Sequence, residues 1–259
     1  MSFDISSLQN PRIKQLVKLR EDKRQRQADG LMLVEGWDEI SLALGAGMQP
    51  QSVFTAPELV TRSLEGIPGE IVTVDRLVFK KISYRENPDG WIGVFPIPDR
   101  TLDSLELGRS PIVIVAESVE KPGNLGAILR TADAAGVDAM LVCDPRVDLW
   151  NPNVVRASRG ALFTVPAIEV DNRTALDWLK ANRIQILAAT PASTTSYLSA
   201  DMTGGTAIAV GTEDKGLSDF WMSSADLQVL IPMTGKVNSL NVSISIALIV
   251  YEALRQRGR

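Results

Sequence analysis

The feature that most restricts this chain is a regular alternation in its second half. Ile112–Ala116 is a continuous apolar run, the pattern of a strand buried on both faces of a parallel sheet. Asn124–Ala135 follows with helical spacing and ends at Gly136, a residue suited to stopping a helix. Ala139–Cys143 is a second apolar run, and the alternation then continues. Asn153–Ser158, Asn172–Ala181 and Asp219–Ser223 read as helical, while Thr164–Pro166, Ile184–Ala189, Ala207–Val210 and Gln228–Ile231 read as strands. Strands alternating with helices predict an α/β domain with a mostly parallel sheet. The last helix, from about Ser239 to Arg255, stands apart: Ile244, Ile246, Ala247, Leu248, Ile249, Val250 and Tyr251 leave almost no polar face. Such a helix is buried, either in a core or between subunits. A homodimer is the expectation, because soluble monomers avoid large exposed apolar patches.

The first half reads as a smaller α/β unit. Its strands are Leu31–Val34, Ser52–Thr55, Glu70–Val74 and Trp91–Phe95; Trp37–Leu44, Pro57–Leu64 and the segment from Asp75 to Lys81 read as helices. Asn10-Pro11 opens a further helix, with Ile13, Leu16 and Val17 as its apolar stripe. From Gln9 to Arg26 there are seven basic and two acidic residues, an excess of five in a chain of net charge −4. A charge run of this kind is ordinarily a solvated helix face. The sharper reading is a surface for phosphates, with Arg12, Lys14, Lys18, Lys23 and Arg24 as the contacts. If the run is only solvated, Arg146, Arg156 and Arg159 become the alternative docking surface. A proline-marked stretch from Pro96 to Pro111 divides the chain into 1–98, a linker 99–110, and 111–259.

Several chemistries are excluded outright. The 259 residues contain no histidine, so no Ser-His-Asp triad, Cys-His dyad or His-ligated metal centre can be built. No metal site is expected. The single cysteine, Cys143, lies in an apolar run and reads as a packed thiol. The first twenty residues lack the apolar segment of a signal peptide, and no run of about 18 apolar residues exists. A cytoplasmic protein without a membrane span is the expectation.

Three loops follow strands in the second half: Glu117–Gly126, Gly211–Ser218 and Ile231–Asn241. Ligands of α/β sheets bind outside the carboxyl ends of the strands, where these loops lie. None is a G-x-G-x-x-G fingerprint or a Walker loop, so a nicotinamide or nucleoside-triphosphate site is unsupported. Singly, each loop has a plain structural explanation: Gly126 for close packing of a helix, Ser239 as a helix cap, Arg130 as a surface residue.

In combination the loops resemble the SpoU family, the ribose 2′-O-methyltransferases of the knotted SPOUT class. The matching segments are Asn124-Leu125-Gly126-Ala127-Ile128-Leu129-Arg130-Thr131-Ala132, Gly211-Thr212-Glu213-Asp214-Lys215-Gly216-Leu217-Ser218, Ile231-Pro232-Met233 and Ser239-Leu240-Asn241-Val242-Ser243. Arg156-Ala157-Ser158-Arg159-Gly160-Ala161 resembles the family's small-residue segment. The resemblance covers about 111–257; residues 1–98 look, more loosely, like the RNA-binding domain of the ribosomal-RNA branch.

The resemblance implies a trefoil-knot domain in place of an open doubly wound sheet, S-adenosylmethionine as cofactor, and a homodimer. It implies a transferase acting on a ribose 2′-hydroxyl of RNA, with ribosomal RNA favoured by the extra N-terminal domain. A transfer-RNA substrate and a non-catalytic RNA-binding or ribosome-assembly role are the alternatives. Carried over by position, Arg130 is the key catalytic residue, with Asn124, Glu213, Ser239 and Asn241 as its polar companions. Thr190, Gly211, Ile231 and Leu240 would line the cofactor. Whether Arg130 is the base or an orienting group stays open at the level of sequence.

Overall fold

The structure, a computed structural model, describes residues 3–63, 66–237 and 239–258. It divides into two units. One runs to Asp99 and takes in Trp150–Phe163; the other comprises Arg100–Leu149 and Thr164 to the C-terminus.

In the first unit, α1 (Pro11–Glu21) begins where Asn10 Oδ1 accepts the Arg12 amide at 2.9 Å. Its buried stripe is Ile13, Leu16 and Leu19. The expected third member, Val17, is only partly buried. The basic segment is also not one helix. Asp22 is extended and caps a second helix, α2 (Lys23–Asp29), its carboxylate accepting the Arg24 amide at 2.8 Å. An aspartate that bonds the backbone ahead of it offers the chain an alternative to continuing the helix. Arg26 folds back from α2, buried, and donates to the Leu19 carbonyl at 2.6 Å, so one of the seven basic residues serves the core.

The remaining elements are β1 (Leu31–Glu35), α3 (Trp37–Gly45), β2 (Ser52–Thr55), β3 (Glu70–Thr73), α4 (Arg76–Ile82) and β4 (Trp91–Pro96). They build a mixed four-stranded sheet of order β1-β4-β2-β3, in which only β2 and β3 are parallel. The helix expected at Pro57–Leu64 is absent over its described part, where Pro57–Leu59 is a turn; Leu64 lies outside the described residues. Ile13, Leu16 and Leu19 close the core against Phe54, Val72, Phe79 and Ile92.

In the second unit, β5 (Ile112–Glu117), α5 (Pro122–Ala135) and β6 (Ala139–Cys143) fall where the periodicity places them. The chain then forms α6 (Pro152–Ser158) and the single turn α7 (Ala161–Thr164). α6 packs on β1, within the first unit, although sequence order alone assigns it to the 111–259 segment. The strand expected at Thr164–Pro166 is displaced to β7 (Ala167–Val170), since α7 occupies Thr164. α8 (Asn172–Ala181), β8 (Gln185–Ala189), β9 (Thr206–Val210), α9 (Asp219–Ser224), β10 (Leu227–Val229) and α10 (Val242–Gln256) complete the chain. The stretch read as a linker is packed: Leu102, Leu105 and Leu107 lie against the core of this unit.

The second sheet has six strands in the order β10-β8-β9-β5-β6-β7, all parallel. One face is covered by Ala175, Leu176 and Leu179 of α8 and by Trp221 of α9. α5 and α10 pack together and also meet β5, β6 and β9. Burial on both faces explains why these strands read as unbroken apolar runs. Cys143 is fully buried, and burial pushes its thiol well above the usual range, with Asp144 and Glu117 nearby adding to the effect.

α10 starts at Val242, later than the sequence suggests, because Asn241 is its cap: Asn241 Oδ1 accepts the Ser243 amide at 2.9 Å and the Ser243 hydroxyl at 2.7 Å. The helix has two apolar faces of different fate. Ile246, Ile249, Val250 and Ala253 are buried within the unit, whereas Ile244 (50%), Leu248 (38%) and Tyr251 (51%) are exposed along one stripe.

Candidate active site

The carboxyl ends of neighbouring strands bring three distant segments together. Thr190 follows β8, Gly211 follows β9 and Ile231 lies just beyond β10; these strands are adjacent in the sheet. Gly211 begins a tight loop in which Thr212 and Gly216 exchange both backbone hydrogen bonds, at 3.0 and 2.9 Å. A Cβ on Gly211 would fall 2.0 Å from the Gly216 carbonyl oxygen and 2.4 Å from the Leu217 nitrogen. Only glycine permits the backbone to close on itself here.

This closure presents Glu213 at the loop tip. Its carboxylate accepts from the Lys121 ammonium and from the Asn124 side-chain amide, both at the start of the segment after β5. Asn241 Nδ2 donates to Asn124 Oδ1 at 3.1 Å and reaches Glu213 Oε1 at 3.4 Å. Asn124, Glu213 and Asn241, three of the polar residues singled out in the sequence, therefore form one cluster with Lys121. The Glu213 carboxylate raises the Lys121 ammonium above its ordinary range, chiefly through their hydrogen bond.

Arg130 lies further along α5, exposed, and no hydrogen bond or ion pair joins its side chain to the cluster or to any other described residue. Ser239 is likewise exposed, without a bond in the cluster. Among the residues expected to line a cofactor, Thr190 and Ile231 are half-buried, Gly211 is buried and Leu240 is 37% exposed. Thr190 is structurally committed, its amide donating to the Val229 carbonyl at 2.9 Å. Leu240 and Val237 present apolar side chains to solvent from the loop that ends in Asn241. A flat heteroaromatic ring needs such a surface beside main-chain groups.

A residue that the motif reading left without a role anchors the loop from below. Glu117 ends β5 and is buried. Its carboxylate accepts the Ser218 amide at 2.8 Å, the Ser218 hydroxyl at 2.6 Å and the Asn172 side-chain amide at 3.1 Å. Asn172 in turn accepts the Trp221 indole N–H at 2.6 Å and donates to Asp144. The visible signal was a carboxylate ending a wholly apolar strand, since an acid at such a position is seldom buried without partners. Ser118 and Asp144 at the ends of β5 and β6 adopt left-handed backbone, φ 50° and 46°. Strain of this kind gathers at functional sites.

The basic helices present a divided picture. Arg12 makes a bidentate pair with Glu70, at 2.9 and 2.6 Å, and lies over the Phe54 ring, so much of its charge is spent inside the fold. Arg20 donates to the Lys81 and Ser83 carbonyls. Lys14, Lys18, Lys23 and Arg24 have no side-chain partner among the described residues. Among those residues no cluster of metal-ligating side chains occurs and no helix is long and apolar enough to cross a membrane.

Comparison with known proteins gives this geometry a context. Residues 111–251 match the SpoU rRNA Methylase family, and residues 10–93 match the MRM3-like substrate binding domain. An uncharacterised tRNA/rRNA methyltransferase of Synechocystis, slr1673, is 33% identical over 98% of this chain and 94% of its own length. The 23S rRNA (uridine(2479)-2′-O)-methyltransferase of Streptomyces viridochromogenes is 29% identical over 96% of this chain and 91% of its own. The crystal structure of the SpoU methyltransferase AviRb from that organism, in complex with the cofactor AdoMet, superposes with a TM-score of 0.89 at 28% identity. The match covers 96% of this chain and 98% of that one.

Among the described residues, the Ser218 amide is held only by Glu117. Glu117→Ala should accelerate its hydrogen exchange by roughly 10- to 100-fold, the loss of one buried charged hydrogen bond. Glu117→Gln, which keeps an acceptor, should have a smaller effect. Unchanged exchange in Glu117→Ala would show that the loop is held by other contacts.

Proposed function

The chain belongs to the SpoU rRNA Methylase family, and we propose that it transfers a methyl group from S-adenosylmethionine to a ribose 2′-hydroxyl of ribosomal RNA. The observation that carries this reading is the Asn124–Glu213–Asn241 cluster inside the matched segment. The named relative acts on 23S rRNA, and the AdoMet-bound AviRb structure superposes over nearly the whole chain.

When bound, S-adenosylmethionine supplies an electrophilic methyl group on a sulfonium. Thr190, Gly211, Ile231 and Leu240 are the residues assigned to hold it, in keeping with the position of the first three beyond the ends of three adjacent strands and of Leu240 in the loop before α10. The remaining work falls to the chain: the hydroxyl must lose its proton and its oxygen must sit in line with the methyl carbon. There is no histidine to do this. Glu213 already accepts from Lys121, Asn124 and Asn241, so its part is to orient these groups. Arg130 has no internal partner, which leaves its planar fork of donors for a phosphate and a forming alkoxide. Guanidinium rarely gives up its proton, so in this reading Arg130 stabilises the forming alkoxide and positions the ribose, and the proton passes to solvent water.

The trefoil knot that the resemblance implies is supported by the path of the chain. From β10 at the sheet edge it returns to the middle, where α10 packs on α5, β9 and β5. A homodimer is supported by the exposed stripe Ile244, Leu248 and Tyr251. A second subunit would cover that stripe and bring an exposed Arg130 to a neighbouring site. A ribosomal-RNA substrate supports a cytoplasmic location in this reading. The N-terminal unit would dock the RNA through Lys14, Lys18, Lys23 and Arg24, with Arg12 in a structural part.

Three outcomes test this reading. Arg130→Ala should abolish methyl transfer to rRNA while the Kd for S-adenosylmethionine stays near that of the unsubstituted protein; near-normal turnover would remove Arg130 from the mechanism. Sedimentation should give a dimer of the 28.1 kDa chain at micromolar concentration, and a monomer would leave the apolar stripe unexplained. Replacing Lys14, Lys18, Lys23 and Arg24 with Glu should weaken RNA binding and flatten its log–log salt slope by roughly 3 to 4. S-adenosylmethionine affinity should not change. An unaltered slope would reduce the basic helices to a solvated face.

A further inference from the structure

The first unit carries an open groove of about 1140 Å³ that the methyl-transfer chemistry does not use. Trp37 and Leu42 of α3 and the corner Tyr84–Asn87 line it, together with Arg156 of α6 and Arg159, which caps that helix. Three features show that it is built. Gly160, at φ 87°, sits so close to Leu42 that a Cβ would fall 2.4 Å from that side chain. The segment carrying the two arginines thus approaches α3 closely at Leu42. Glu35 accepts the Ser83 hydroxyl and the Tyr84 amide, each at 2.6 Å, and pins the corner. Asn153 of α6 donates to the Tyr84 hydroxyl, orienting a ring that is 40% exposed.

The charges are sorted as well. Arg85 is paired with Glu39 at 2.7 Å, and Arg62, which stacks over Trp37 at 4.0 Å, is paired with Asp38 at 3.0 Å. Arg156 and Arg159 are exposed and have no partner among the described residues. The remaining unpaired charge on the groove is Glu86. Two free guanidinium groups beside an oriented tyrosine ring offer what single-stranded nucleic acid needs, phosphate contacts and a stacking platform. The volume exceeds the ~300–1,000 Å³ of an ordinary small-molecule site, and the open side admits a continuous chain.

We propose that this groove holds an unpaired stretch of the substrate RNA, with Arg156 and Arg159 on its phosphates and Tyr84 stacked on a base. This rests on the reading of the protein as an RNA methyltransferase and adds a specific docking site to it. It gives a role to the Arg156–Ala161 motif, which the transfer chemistry leaves unused.

The test measures binding of 5′-fluorescein-labelled dodecamers of uridylate and adenylate by anisotropy across a salt series. Arg156→Glu with Arg159→Glu should weaken binding at least tenfold at unchanged Tm. The log–log salt slope should flatten by about 1.4, two single-strand phosphate contacts at about 0.7 each. Tyr84→Ala should weaken binding by roughly 5- to 150-fold, the range for loss of one stacked base, and Tyr84→Phe, which keeps the stacking face but loses the bond from Asn153, should weaken it less. Glu86→Gln should tighten binding, a gain that structural damage would not produce. Normal affinity and slope in the arginine double variant, with the unsubstituted protein binding RNA, would overturn the groove and leave the proposed function standing. Failure of the unsubstituted protein to bind or methylate rRNA would overturn both.

Discussion

The Glu213 carboxylate is the junction on which the candidate site depends. Lys121 and Asn124 reach it from the segment after β5 and Asn241 from the cap of α10, across sequence separations of 89 residues to Asn124 and 28 to Asn241. Two constraints put it there. Gly211 lets the loop close without a Cβ, and Glu117 ties the far end of the loop to the end of β5 through Ser218. One is a backbone closure and the other a buried carboxylate at the end of a sheet strand, so the polar cluster is held by the sheet rather than by its own weak surface pairings. Removing either constraint would move Glu213 relative to Asn124 and Asn241 before any reacting group was touched.

The same architecture explains what the sequence could and could not reveal. Strands buried on both faces show as apolar runs, so β5, β6, β8 and β9 were legible to within a residue or so. The break of the basic segment at Asp22 was not, because the residues on either side keep helical character and only the extended backbone of Asp22 interrupts them. The composition of α10 showed that it is apolar all round, yet not that Ile246 and Ile249 turn inward while Ile244, Leu248 and Tyr251 face out. The grouping of α6 with the first unit could not be read from order along the chain either. Asn124, Glu213 and Asn241 were found through their motifs; no local periodicity relates residues 117 positions apart, as Asn124 and Asn241 are. Glu117 was visible as an anomaly and went unassigned.

Charge is likewise divided between structure and recognition. Of the basic residues from Gln9 to Arg26, Arg12, Arg20 and Arg26 are engaged in the fold, while Lys14, Lys18 and Arg24 are exposed and Lys23 is half-buried, none with a side-chain partner among the described residues. On an acidic chain, such a residue of unpaired cations directs a polyanion to one surface and discourages it elsewhere. Arg156 and Arg159 repeat the pattern on a different element. The exposed Arg130 is the third instance, set on the helix that carries Asn124.

The central claim is that this cluster serves methylation of a ribose oxygen. It is tested most directly by incubating the purified protein with ribosomal RNA and S-adenosylmethionine labelled in the methyl group, then hydrolysing the RNA in alkali. Alkaline cleavage uses the free 2′-hydroxyl as its nucleophile, so a methylated ribose leaves its phosphodiester intact. The account predicts label recovered in an alkali-stable dinucleotide. Label on a base within an alkali-labile backbone, or no label transferred, would contradict it.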